Sequence, residues 1–158
     1  MKKLILIAIS IIIYSCNESQ QEDSYNLYVG VEFSIINSEN EDLLNPESTN
    51  KIDVYKIRIY HLINGKKTYY FKGNLDSPKG FKVYKHENEY RIGIALNHTE
   101  TSAKPITYIE WNENDTDTIE ATFKSSNSSL IQQKIWLNGK EVWELGNNTI
   151  DPFFVLSK

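Results

Sequence analysis

Lys134-Ile135-Trp136-Leu137-Asn138-Gly139-Lys140-Glu141-Val142-Trp143-Glu144 states the building rule of the chain. Asn-Gly is the strongest short-range hairpin signal, because a two-residue type I′ turn needs positive φ at both central positions. Such a turn sets the cross-strand partners. Strict pairing makes Trp136 face Glu141 and Lys134 face Trp143. The two tryptophans are then diagonal neighbours on one face, flanked by Lys134 and Glu141, while Ile135, Leu137 and Val142 take the other. Two readings of the tryptophan face follow. It is an exposed aromatic ligand platform that stacks on a sugar ring, or the hairpin lies centrally with both faces covered. Tryptophan is highly buried on average, which favours the covered hairpin.

The same design recurs at Asn64-Gly65. Ile52 to Ile63 alternates, with Tyr55, Ile57, Ile59, His61 and Ile63 on one face, and Lys66 to Lys72 returns. Tyr60 then faces Tyr69, Leu62 faces Lys67 and Arg58 faces Phe71. Ile57, Ile59, Ile63 and Tyr70 are the expected core side. Outward from these hairpins, Tyr28 to Ile36 alternates, as do Phe81 to Lys85 and Tyr90 to Leu96. Ile106 to Trp111 and Thr118 to Phe123 flank the polar run NENDTD, and Phe153 to Leu156 is an apolar tail that forms a last edge strand or covers a sheet face. No apolar run has helical period and useful length. About eight or nine short strands with close turns predict an all-β protein, an antiparallel β-sandwich of immunoglobulin-like kind.

The chain has 158 residues, one domain's worth, with a formal charge of −4. A mildly acidic chain gains nothing from neutralising phosphates, so no nucleic-acid partner is expected. Its length supports a core without disulfides.

Chemistry-bearing patterns are sparse. There is no G-x-S-x-G, P-loop or H-E-x-x-H. His61, His86 and His98 fall on separate elements, and His61 reads as a hydrogen-bonded, semi-buried residue of an apolar strand face. The oxygen-rich stretch Asn112 to Asp117 lacks the glycine and terminal glutamate of an EF-hand loop and reads as a solvated hairpin loop. No catalytic residue, cofactor or metal is predicted, and the chain is not expected to be an enzyme.

The amino-terminal segment carries a clearer message. Met1-Lys2-Lys3 is basic, and Leu4 to Tyr14 is an apolar run of eleven residues broken only by Ser10. A membrane span needs about 20 such residues, so this run fits the core of a secretory signal. Ile13-Tyr14-Ser15-Cys16 follows, with the chain's only cysteine. These residues resemble the lipobox of bacterial lipoproteins, which implies a signal peptide over 1–15 and lipid attachment, palmitate included, at Cys16. Loss of Lys2 and Lys3 with the signal takes the charge from −4 to −6. Residues 16–27 read as the lipidated cysteine and a flexible acidic tether, in which Glu18, Glu22 and Asp23 match acids that send such proteins to the cell surface in Bacteroidetes-type bacteria. The sandwich domain is then 28–158. Asp117-Thr118-Ile119 resembles the short motif at which those bacteria attach O-glycans, which would make Thr118 the acceptor.

With Leu43-Leu44-Asn45-Pro46, Leu62-Ile63-Asn64-Gly65-Lys66, Pro105-Ile106-Thr107-Tyr108-Ile109 and Trp136-Leu137-Asn138-Gly139-Lys140, the chain resembles small uncharacterised Bacteroidetes lipoproteins. The resemblance implies an outer-membrane protein held by its lipid, on the periplasmic or cell-surface face. Its expected role is non-catalytic, a binding or structural accessory to another envelope protein. The alternative is a glycan-binding accessory lipoprotein that uses exposed aromatic residues.

Cys16→Ala should leave an unlipidated precursor that no longer partitions with detergent-extracted membranes. Fractionation and gel mobility check this, and wild-type behaviour of the mutant would remove the lipoprotein reading.

Overall fold

A computed structural model describes residues 25–99, 102–147 and 151–158. The expected signal peptide, Cys16 and the acids of the expected tether lie outside the described residues. No helix occurs among them. Eleven strands do: β1 (Asn26–Tyr28), β2 (Gly30–Ile36), β3 (Arg58–Ile63), β4 (Lys66–Tyr69), β5 (Phe81–His86) and β6 (Glu89–Ala95), followed by β7 (Ile106–Asn112), β8 (Asp115–Ser125), β9 (Ser129–Leu137), β10 (Lys140–Glu144) and β11 (Phe153–Ser157). Strand structure begins at Asn26, two residues before the boundary read from the sequence.

The strands form two sheets. The larger runs β1-β9-β8-β7-β3-β4, with β10 also paired to β9, and curls as a half-barrel. The smaller runs β11-β2-β6-β5. The apolar faces of both meet in one core. Phe33, Ile35, Ile92 and Ile94 come from the smaller sheet, and Ile59, Ile109, Ile119 and Ile135 from the larger. The ring of Phe33 stacks on Phe154 at 4.7 Å and meets Trp111 edge-on at 6.2 Å. Leu43 and Leu44, from the otherwise polar loop after β2, are buried in the same core.

Three expectations need correction. The sheets are mixed, not purely antiparallel: β1 runs parallel to β9, and β11 parallel to β2. The strand expected over Tyr28 to Ile36 is also broken, because the chain passes from one sheet to the other at Val29. Ile52 to Ile57 is likewise turn and loop, so Tyr55 is 81% exposed instead of sharing a core face.

The Asn-Gly turns behave as their chemistry demands. Asn64 and Gly65 have φ of 50° and 74°, and Asn138 and Gly139 have 50° and 80°. The first hairpin pairs Tyr60 with Tyr69 and Leu62 with Lys67, as strict counting requires. Arg58, however, is paired with Glu110 of β7, and β4 ends before Phe71.

The second hairpin departs from strict counting. Glu141 faces Trp136, but a bulge at Val142 shifts the register, and Trp143 faces Ile135. An extra residue sends the following side chain to the opposite face. Trp143 is therefore in the core, 1% exposed, while Trp136 stays on the outer face, half-buried. The two tryptophans do not share a face. Similar shifts occur at Trp111, where β7 meets β8, and at Gln133, where β8 meets β9.

Trp143→Ala should cost about 3–5 kcal/mol, the range for a truncated buried aromatic. Trp136→Ala leaves no internal cavity and should cost about 2 kcal/mol or less. Urea unfolding of both variants checks the bulge, since equal costs would put both rings in one environment.

Candidate functional site

The most ligand-like concavity is a groove of about 820 Å³ beside the crossing at Val29. β2 and β6 supply its floor. Gly30 pairs with Ala95 and Glu32 with Gly93, so small residues lie together on the outer face of the smaller sheet. β5 adds Lys82 and Tyr84 on that face, with Lys82 opposite Gly93. β1 adds Leu27 and Tyr28, 55% and 59% exposed, and the loop before β5 adds Leu75, Asp76 and Ser77. An apolar, partly aromatic wall with a few convergent polar groups is the usual make-up of a ligand groove.

Its polar groups are ordered by their neighbours. Burial pushes the Tyr84 hydroxyl up to about 12, and its hydrogen bond to Glu32 and that carboxylate's charge add to the effect. Arg91 lies 3.9 Å from Glu32, pairs with Glu89 at 2.6 Å, and stacks 3.9 Å from the centroid of Phe153. From the larger sheet comes Gln132, 4% exposed. Its Nε2 donates to the Gly30 carbonyl at 2.9 Å, and its Oε1 has no partner among the described residues. The bulge at Gln133 places it there. Strict alternation inward from Ile135 would have turned Gln133 in and Gln132 out.

Two other concavities are less suited to binding. One of about 730 Å³ is lined by Lys51, Lys56 and Arg58 against Asp53, Glu110 and Glu113, a cleft of mixed charge. The other, about 180 Å³, contains His61 and His98. The His61 Nε2 donates to the Ala95 carbonyl at 3.1 Å, tying the larger sheet to the smaller. A ring nitrogen of His98 contacts the Leu96 carbonyl at 3.0 Å. Among the described residues, no group of three His, Cys, Asp or Glu side chains gathers to hold a metal.

The residues singled out in the sequence are placed as follows. Trp136 is flanked by Lys134 and Glu141, which are 3.6 Å apart, and Lys134 also pairs with Glu144. The Lys104 ammonium covers the Trp136 ring at 3.8 Å, and Trp143 has left that face. The four-residue platform is therefore not assembled. Thr118 lies within β8, half-buried, paired with Tyr108, and its backbone N–H donates to Asn138 Oδ1 at 2.8 Å.

The stretch Asn112 to Asp117 is a two-residue turn with strand on both sides rather than an open loop. Asp117 is buried. Its Oδ2 accepts from Trp111 Nε1 at 2.7 Å and lies 2.9 Å from Lys158 Nζ, and its Oδ1 accepts from Asn138 at 2.7 Å. Burial alone would raise its carboxyl pKa, but the bonds from Asn138, Lys158 and Trp111 outweigh burial and hold it below the ordinary value. The groove itself was not read from the sequence. Exposure of Tyr28 and the bulge that turns Gln132 inward have no local sequence signal.

No family model, curated protein or solved structure matches the chain.

Burial pushes the His61 pKa down to about 4 from 6.5, with the hydrogen bond to Ala95 opposing and the charge of His98 reinforcing the shift. Between those values the unfolded chain binds the proton and the folded one does not, so stability rises with pH. The contribution should be complete above the ordinary histidine pKa and lost as pH falls from 6.5 to about 4. It amounts to roughly 3 kcal/mol. His61→Gln keeps a donor for Ala95 but cannot titrate, so its urea midpoint should be flatter across that window.

Proposed function

We propose that this chain is a lipid-anchored, non-catalytic binding module of a bacterial cell envelope, serving an envelope partner through the groove between β1, β2, β5 and β6. The observation that carries the reading is the groove itself. It joins exposed apolar side chains to a buried, half-satisfied amide in one place. Support for the envelope location comes from the basic start, the short apolar run and Cys16.

The tether and the groove fit one another. Leu27 and Tyr28 form a groove wall where the tether would end and the domain begin. An extended chain spans at most about 3.3–3.6 Å per residue. A lipid at Cys16 would hold the groove within roughly 40 Å of the membrane surface by that measure. Within this reading, the two face-to-face sheets are taken as a variant of the immunoglobulin-like sandwich, set apart by the curl of the larger sheet and the parallel edges.

The test is site-specific photocrosslinking in intact cells. A photoreactive residue at Leu75, 45% exposed on the groove rim, should give a discrete adduct, while one at Tyr55, away from the groove, should not. Equal labelling from both positions would remove the groove as the working surface.

A further inference from the structure

We infer that the groove takes a neutral carbohydrate chain, an inference that rests on the groove being the binding site of the proposed module. The first observation is its floor. Gly93 lies inside β6, between β2 and β5, where glycine weakens a strand. The fold does not require it. A Cβ there would meet nothing nearer than the Glu32 Cγ at 3.9 Å and the Lys82 carbonyl oxygen at 4.0 Å, and its φ is not left-handed. Gly30 is similar, with the Ile94 carbonyl oxygen at 3.4 Å. What the missing side chains provide is a low floor that a flat ligand can approach closely.

The second observation is the half-satisfied Gln132. Its Nε2 donation to the Gly30 carbonyl fixes the backbone beside the groove floor, while its Oε1 is closed to solvent. The third is the mixture of polar groups. Glu32 and Asp76 accept, whereas Lys82 donates. A hydroxyl both donates and accepts, so a polyhydroxylated ligand matches such a mixture. An anionic ligand would meet Glu32 and Asp76, and a cationic peptide would meet Lys82 and leave that donor unused. Tyr28 offers an exposed aromatic face whose negative quadrupole suits the C–H side of a sugar ring.

The full chain is titrated by calorimetry with four neutral probes: cellohexaose, laminarihexaose, mannohexaose and maltohexaose. Polygalacturonate and an alternating Lys-Gly peptide are the charged probes. At least one neutral hexasaccharide should bind saturably. Tyr28→Ala should weaken it by roughly tenfold or more, as expected of an aromatic anchor. Gly93→Val should abolish binding while circular dichroism and melting stay at or above wild type, because valine suits a strand. Tyr28→Ala, at an exposed position, keeps the test decisive if Gly93→Val folds poorly. Absence of binding to all four neutral probes, or binding that both variants retain, overturns the inference. Binding of polygalacturonate or the peptide alone also overturns it; if Gly93→Val abolishes that binding, the groove survives as a site and only the ligand class falls. Equal crosslinking from Leu75 and Tyr55 in cells would instead remove the groove as the working surface of the proposed module.

Discussion

The carboxylate of Asp117 is where the two sheets are tied at one end of the core. A buried charge is tolerated only when paired and hydrogen-bonded. Asp117 receives the indole N–H of Trp111, the amide of Asn138 and the ammonium of Lys158. Those partners come from β7, from the turn between β9 and β10, and from the residue after β11. Lys158 belongs to the smaller sheet's side, where its backbone N–H donates to the Ile36 carbonyl at 2.9 Å. Asp115 adds a second carboxylate to the same ammonium at 2.8 Å. One acid therefore holds a bulge, a turn and the end of the chain together.

Asn138 shows how local and global demands coincide. Its positive φ makes the type I′ turn, its Nδ2 satisfies Asp117, and its Oδ1 accepts from the backbone of Thr118. The turn is thus locked to β8 as well as to its own hairpin. With the turn fixed, the bulge at Val142 decides which side chains enter the core. Trp143 goes in against the apolar cluster, and Val142 is only partly buried. Turning the larger side chain inward buries more apolar surface than the reverse would.

Most strands are legible in the sequence because alternation and Asn-Gly turns are local signals. Tyr60 with Tyr69, and Trp136 with Glu141, follow from counting away from a turn. Counting fails where an extra residue enters, since a bulge leaves no mark in a period-two pattern. Trp143 was misplaced for that reason, and the inward turn of Gln132 is hidden by the same kind of shift. Parallel pairing of β1 and β11 is non-local and equally silent in the sequence. The candidate site inherits both blind spots. Its wall depends on where β1 docks, its buried amide depends on the bulge at Gln133, and only Gly93 in Arg91-Ile92-Gly93-Ile94 marks the site in the sequence, as a break in an apolar strand.

Asp117 and Gln132 are both buried polar side chains, and the difference between them separates scaffold from site. Every oxygen of Asp117 is used, which a purely structural group requires. Gln132 spends its amide N–H on Gly30 and leaves its oxygen over, beside strands that carry glycine where valine would serve the sheet better. A chain consistent at every other level breaks local rules where something outside the fold compensates. Here the departures fall together, at the groove beside the crossing at Val29 and not at the hairpin tryptophans. The scaffold end is closed by a complete network, and the groove end holds an amide oxygen without a partner among the described residues.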